Sequence, residues 1–323
     1  MALGLDPEIR TALDARQAAD RPGAVDGLPI GGDALAVRAS LEPALRALTA
    51  EPAVPTGIEV TRYAVNSADG TEVPLRLYRR PGGPVTGLVV YFHGGGMIAG
   101  DLDIYDPVVR RYVGAGGIPV LAVDYRLAPE HPYPAGAEDA YAAIVWAAKR
   151  AGELGMDPTR IAVAGDCGGA AITAGAVLLG RDRGGPTLAG QLLIHPLLDD
   201  RTVTPDPLLG RGPLWSYQAN RAAWAAVLGR PLDAEPGHAP AYAAPARASD
   251  VAGLPPTYLE VAGVDVVRDE GLTFGARLAR VGIAVEMHLH AGAPHGFDLL
   301  APEAAVTQRA TADRLRFLEA VAG

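Results

Sequence analysis

Ile161-Ala-Val-Ala-Gly-Asp-Cys-Gly-Gly-Ala-Ala171 is the stretch on which the reading of this chain turns. Its first residues, Ile161 to Ala164, form a short apolar run with the composition of a buried strand. The run enters Gly165-Asp166-Cys167-Gly168-Gly169 and leaves through a small-residue, helix-compatible segment from Ala170 to Asp182. Strand, sharp turn and helix with one nucleophilic side chain at the apex is the Gly-x-Nuc-x-Gly spacing of a nucleophile elbow. Glycines flank the apex because a strained turn leaves no room there for side chains. Serine is the expected apex residue, and this chain has Cys167, its only cysteine. A lone cysteine is more often a small buried hydrophobe. The surrounding glycines and the strand-to-helix position argue instead for a nucleophile, and a helix starting just after it favours the thiolate.

Outward from the elbow, short continuous apolar runs alternate with helical segments. The runs are Leu88–Phe92, Pro119–Val123, Ile161–Ala164, Gln191–Ile194, Thr257–Val261 and Ala284–Leu289. Between them, helices are predicted over Pro107–Val113, Ala137–Gly152, Ala170–Asp182 and Arg268–Val281, with a closing helix over about the last 20 residues. A hairpin, Ile58–Val65 and Val73–Tyr78 around Ser67-Ala68-Asp69-Gly70, precedes them. The pattern predicts an α/β fold with about eight strands, mostly parallel and covered on both faces. Two N-terminal helices, Pro7–Ala19 and Asp33–Ala50, flank a Gly/Pro-rich break over Arg21–Gly32. The stretch Asp200–Asp250 breaks the alternation and holds Trp215, Tyr217, Trp224 and a helix from Tyr217 to Leu228. An insertion there falls at the carboxyl edge of the sheet, where open α/β folds bind ligands.

Three further signals share the logic of the elbow. His93-Gly94-Gly95-Gly96 directly follows a strand. Its glycines let backbone N–H groups face a substrate oxygen, so Gly94, Gly95 and Gly168 are the expected oxyanion hole. Asp265 lies just beyond the seventh strand, where an acid can orient a histidine; its bland alternative is a helix N-cap. Asp269 is its rival but lies a turn inside the next helix, where Arg268 and Glu270 read as solvated charges. His295 stands in Ala-Pro-His-Gly-Phe after the eighth strand. His288 and His290 share a strand face and read as structural or surface residues, His195 before Pro196 as a packing or loop residue, and His131 and His238 as loop residues. None has a partner at metal-ligand spacing, so no metal is expected. The order Cys167, Asp265, His295 is that of the α/β-hydrolases.

Together, His93-Gly94-Gly95-Gly96, Asp124-Tyr-Arg-Leu-Ala-Pro-Glu-His-Pro132, Gly165-Asp-Cys-Gly-Gly169, Asp265-Val-Val-Arg-Asp-Glu270 and His295-Gly-Phe297 make the chain resemble the hormone-sensitive-lipase-like bacterial carboxylesterases of the α/β-hydrolase fold. The resemblance runs from about residue 55 to the C-terminus. It implies a single α/β-hydrolase domain over 1–323 with an eight-stranded core and a helical cap formed by about 1–50 and about 200–245. It also implies hydrolysis of short-chain carboxylic esters, no cofactor, and a homodimer through the last strand and helix. The family usually carries Gly-Asp-Ser-Ala-Gly-Gly at the elbow and often an aromatic after the glycine triplet. Here Ser is replaced by Cys167, Ala by Gly168, and the aromatic by Met97. Met97, Trp215, Tyr217 and Trp224 are the candidates for substrate contact.

A thiol at the apex changes the expected chemistry. It deprotonates more readily than an alcohol, and its acyl-enzyme is a thioester open to amines and thiols as well as water. The longer arm also shifts the oxyanion by a few tenths of an ångström, against a hole worth roughly 3 kcal/mol per donor. Three readings stay open: a Cys-His-Asp hydrolase of esters, thioesters or lactones; an acyltransferase or cyclising enzyme on the same intermediate; and an engineered or degenerate elbow in a weak enzyme or ligand-binding protein.

Composition bounds the rest. The 323 residues carry a formal charge of -9, which disfavours nucleic acid and anionic membranes as partners. Hydrophobic residues make up 49%, enough for a large core, yet no apolar run approaches ~18 residues. The N-terminus lacks the pattern of a signal peptide, and one cysteine allows no internal disulfide. A cytoplasmic protein acting on a small-molecule acyl substrate is the expectation.

Overall fold

A computed structural model describes residues 3–19, 32–50, 52–83, 86–209 and 212–323. Most of the predicted Gly/Pro-rich break between the first two helices lies outside the described residues. Eight strands form one sheet: β1 (Glu59–Asn66), β2 (Glu72–Arg79), β3 (Leu88–Phe92), β4 (Val120–Val123), β5 (Ile161–Asp166), β6 (Gly190–Ile194), β7 (Thr257–Val264) and β8 (Val285–Pro294). Their order is β1-β2-β4-β3-β5-β6-β7-β8. The pairs β1–β2 and β2–β4 are antiparallel and the others parallel.

Burial follows position in the sheet. Every residue of β3, β4, β6 and β7 is buried, as expected of parallel strands covered on both faces. The edge strands β1 and β8 alternate instead, and β8 leaves Met287 and Leu289 exposed. Helices α3 (Leu102–Gly116), α4 (Ala135–Arg150), α5 (Gly168–Asp182), α7 (Arg268–Arg280) and α9 (Ala305–Ala322) cover the sheet. Helix α2 (Ala34–Ala50) packs on α3 and on α6 (Tyr217–Val227), and α1 (Pro7–Ala18) packs on the short α8 (Phe297–Leu300). Among the described residues, no helix is long and apolar enough to cross a membrane.

Two expectations need correction. Helix α3 begins a turn and a half before Pro107, which the sequence reading takes as its start. Asp101 caps it, its Oδ1 accepting from the N–H groups of Asp103 (2.8 Å) and Ile104 (2.6 Å), and Pro107 is carried inside. Glu270 is not a solvated helix charge: it is 7% exposed, and Thr202 Oγ1 donates to it at 3.3 Å. Burial raises its carboxyl well above the usual range. Arg268 is half-buried and bridges Asp206 and Asp269.

The parallel strands all run toward one edge of the sheet, and this places the chemistry. His93, Cys167, His195, Asp265 and His295 are each the first residue past β3, β5, β6, β7 and β8. Those five strands are consecutive in the sheet. The residues therefore form one row along its carboxyl edge, the ligand-binding edge of open α/β folds.

Candidate active site

Cys167 sits between β5 and α5 at φ 54°, ψ -122°. Its N–H donates to Ile194 O on the neighbouring strand (2.9 Å), and its carbonyl accepts from Ala170 N (3.2 Å), so the turn is held from both sides. The non-glycine residues at positive φ among the described residues are Met97, Cys167 and His195. Such backbone costs about 1–3 kcal/mol per residue and persists where the surroundings enforce it. All three fall in this one neighbourhood.

Glycine at 168 answers a close approach. A Cβ there would lie 2.4 Å from Met97 N and 2.7 Å from the Cα and carbonyl carbon of Gly96. The glycine loop after β3 thus rests directly on the start of α5. Its other side is fixed by Asp166, whose Oδ2 would stand 2.3 Å from a Cβ at Gly94. Tyr91 donates to Asp166 Oδ1 at 2.5 Å and Tyr105 to Oδ2 at 3.4 Å. Burial pushes the Asp166 carboxyl up to about 6, and the Tyr91 bond opposes the shift. Among the described residues, the N–H groups of Gly94 and Gly95 donate to no backbone carbonyl, while Gly95 O accepts from Ile98 and Ala99.

The segment Asp124–Pro132 braces the same loop. Tyr125 donates to His93 O at 2.7 Å, and Ala128 N donates to Met97 O at 3.0 Å. The His93 ring stacks between Tyr105 and Tyr125, with centroids 5.3 and 4.6 Å away. Arg38 of α2 donates to the carbonyls of Ile98 and Ala128 and pairs with Glu130 at 2.7 Å. An N-terminal helix therefore fixes the loop from outside the sheet.

His295 and Asp265 meet across β7 and β8. His295 Nδ1 lies 2.7 Å from Asp265 Oδ2, and both residues are buried. Asp265 Oδ1 also accepts from Val267 N (3.2 Å), so the acid serves the start of α7 as well as the histidine. The pairing irregularity between Ala262 and Val264 falls just before it, where bulges re-aim side chains. The other nitrogen of His295, Nε2, is buried and makes no hydrogen bond of regular geometry. Burial works to lower the pKa of this imidazole. The Asp265 carboxylate and the adjacent Cys167 sulfur outweigh it and hold the ring well above the usual histidine value.

Two neighbours of His295 are aromatic. Trp215, buried, stacks on it at 6.1 Å and 30°, donates from Nε1 to Asn220 Oδ1 (3.2 Å), and lies against Gly96. His195 meets it edge-on at 4.7 Å. Burial, and then His295 itself, push His195 down to about 4, so it is neutral at pH 7. The sequence reading treats His195 as a packing or loop residue. Its signal was its place one residue past the strand beside the elbow strand, which needs the strand order to be seen. Behind it, Glu260 and Arg314 pair at 2.5 Å in full burial, and Asp298 holds Arg314 at 2.7 Å.

Of the four residues expected to touch substrate, the structure brings Met97 and Trp215 to this cluster. Tyr217 is half-buried with its hydroxyl accepting from Asp206 N (3.2 Å). Trp224 lines a separate cavity of about 350 Å³ with residues of 200–236. Among the described residues, the one group of metal-ligating type is Glu286, His288 and Asp313 on the edge strand and α9. Arg316 already bonds both of its carboxylates.

Residues 89–299 match the family described as alpha/beta hydrolase fold. The chain belongs to that family. Esterase LipI of Mycobacterium tuberculosis is 41% identical to this alpha/beta hydrolase over 258 residues, 78% of this chain and 79% of the relative. Carboxylesterase NlhH of the same species is 40% identical over 292 residues, 85% and 88% of the two chains. Among solved structures, a bacterial heroin esterase superposes with a TM-score of 0.87 at 34% identity, covering 98% of this chain and 97% of its own. The hyperthermophilic esterase of the archaeon Pyrobaculum calidifontis gives 0.83 at 30%, covering 98% and 99%. The eight-stranded, mostly parallel sheet is thus the alpha/beta hydrolase sheet of esterases.

Proposed function

We propose that this alpha/beta hydrolase cleaves carboxylic esters of small molecules through an acyl-enzyme on Cys167. The observation that carries the proposal is the buried His295–Asp265 pair at 2.7 Å beside a strained Cys167 backbone, beneath a glycine loop that rests on Gly168. In this mechanism Cys167 Sγ attacks the ester carbonyl carbon. His295 Nε2 takes the thiol proton and returns it to the departing alcohol, and Asp265 stabilises the imidazolium between the two steps. The N–H groups of Gly94, Gly95 and Gly168 receive the charge that develops on the carbonyl oxygen. Water activated by His295 then cleaves the thioester.

The cap assignment is part of the same proposal. Helix α2, tied to the glycine loop through Arg38, and α6, which packs on α2, would cover the site, with Trp215 as its inner wall. The sulfur favours one refinement: a thioester partitions to an added amine more readily than an oxygen ester does, so acyl transfer competes with hydrolysis.

The test offers aryl acetate and butyrate esters to the chain and to Cys167→Ser, with and without an amine acceptor. Turnover that iodoacetamide abolishes is expected of the chain as it stands. Absence of both turnover and thiol labelling would refute the mechanism. Amide formed in excess of acid would make acyl transfer the main activity, and a large gain on Cys167→Ser would show that the site is built for oxygen.

A further inference from the structure

A second cavity, of about 510 Å³, lies between α3, α9 and the segment 52–55, with Asp298 and Leu299 of α8 also on its wall. It includes none of Cys167, Asp265, His295 or the glycine loop, while Asp298 and Arg314, the ion pair behind His195, stand on its wall. The volume is in the range that holds small ligands. Its walls are largely apolar, with Pro55, Val108, Leu299 and Leu315 among them.

Two polar groups on this cavity lack the partners that such groups ordinarily have. Arg111 is half-buried. Its Nη1 donates to the carbonyls of Thr49 (3.0 Å) and Pro52 (3.4 Å), yet it forms no ion pair with a carboxylate among the described residues. Burial lowers its pKa, against the opposing pull of the Asp298 carboxylate. Thr307 is 3% exposed, and its Oγ1 makes no hydrogen bond. Helical threonines commonly return such a hydroxyl to the preceding turn, and an unsatisfied buried one is costly. Of the acidic groups on this cavity, Asp298 is held by Arg314 at 2.7 Å, and Glu303 is exposed.

We propose that this cavity is a binding site for a small amphipathic carboxylate, with the apolar body between α3 and α9 and the carboxylate on Arg111 and Thr307. A guanidinium and a hydroxyl both donate to such a head group, and charge-assisted bonds of this kind are the strong ones. The inference does not depend on the esterase reading, because binding needs no turnover.

The test is calorimetric titration of the full chain with octanoate, and with octanol and octylamine as neutral and cationic probes of the same length. Saturable binding of octanoate in preference to both is expected. Arg111→Gln is expected to weaken it about 10- to 100-fold, and Thr307→Val about 3- to 10-fold. Thermal unfolding without ligand checks that each variant folds, and Thr307→Val, nearly isosteric, carries the test should Arg111→Gln fail to fold. Equal binding of octanol, preference for octylamine, no saturation with octanoate, or octanoate affinity unchanged in the folded variants would each overturn the proposal.

Discussion

Replacing Gly168 with alanine tests the site at its tightest joint. The added Cβ would lie 2.4 Å from Met97 N and 2.7 Å from two backbone atoms of Gly96, where ordinary contact begins at 3.4 Å. None of these atoms is the end of a flexible side chain, so backbone must yield by about 1 Å. Met97 and Cys167 already hold positive φ, at 63° and 54°, which limits how the turn can absorb the shift. Overpacking of this kind costs about 1–3 kcal/mol of stability. Its larger effect is on chemistry. A 1 Å retreat of the glycine loop takes the Gly94 and Gly95 N–H groups from hydrogen-bond range of an oxyanion to beyond it, and each lost donor lowers kcat by about 10²–10³. Gly168→Ala should therefore lose at least about 10² in kcat on an aryl acetate with little change in KM, and unfold at a lower temperature by circular dichroism. A variant with unchanged kcat and unchanged unfolding midpoint would refute the close packing of loop on helix, because an alanine would then have fitted without displacement.

Three other outcomes follow from the same geometry. The pKa of His295 is raised in the folded chain above the ~6.5 of an unfolded histidine. Its contribution to stability is then full below about 6.5 and is lost as pH rises through the folded value. Unfolding free energy measured in urea should fall with pH across that window, and His295→Gln should flatten the slope. Arg314→Met leaves Glu260 charged and unpaired in full burial and should cost about 3–5 kcal/mol, whereas adding Glu260→Leu should recover most of that loss in the same denaturation assay. Trp215→Phe removes the bond to Asn220 and should cost about 1 kcal/mol, while Trp215→Ala removes the packing on Gly96 and His295 as well and should cost about 3–5 kcal/mol by thermal melting.

The local pieces of this protein are written locally. Apolar runs such as Leu88–Phe92 and Ile161–Ala164 mark strands because a strand buried on both faces needs continuous apolar side chains. Gly165 and Gly169 mark a turn whose neighbours leave no room for a side chain, and each motif residue, His93, Cys167, Asp265 and His295, stands one position past its strand. Boundaries were less legible. Pro107 looks like a helix start, but the cap that decides is Asp101, six residues earlier. Glu270 looks solvated because charge on a helix usually is, and only the packing of the 198–202 segment over it shows otherwise.

What the sequence determined alone is therefore the kind of fold and the strand-turn-helix that carries Cys167, since turn geometry and apolar period are properties of neighbouring residues. Tertiary structure decided the rest, because strand order and register set distances between residues far apart in the chain. It set His195 edge-on to His295, drew Trp215 over the histidine while Tyr217 and Trp224 turned elsewhere, and pressed the glycine loop onto Gly168. It also enclosed Arg111 and Thr307 together on one cavity, 196 residues apart in a sequence that gives no local sign of either.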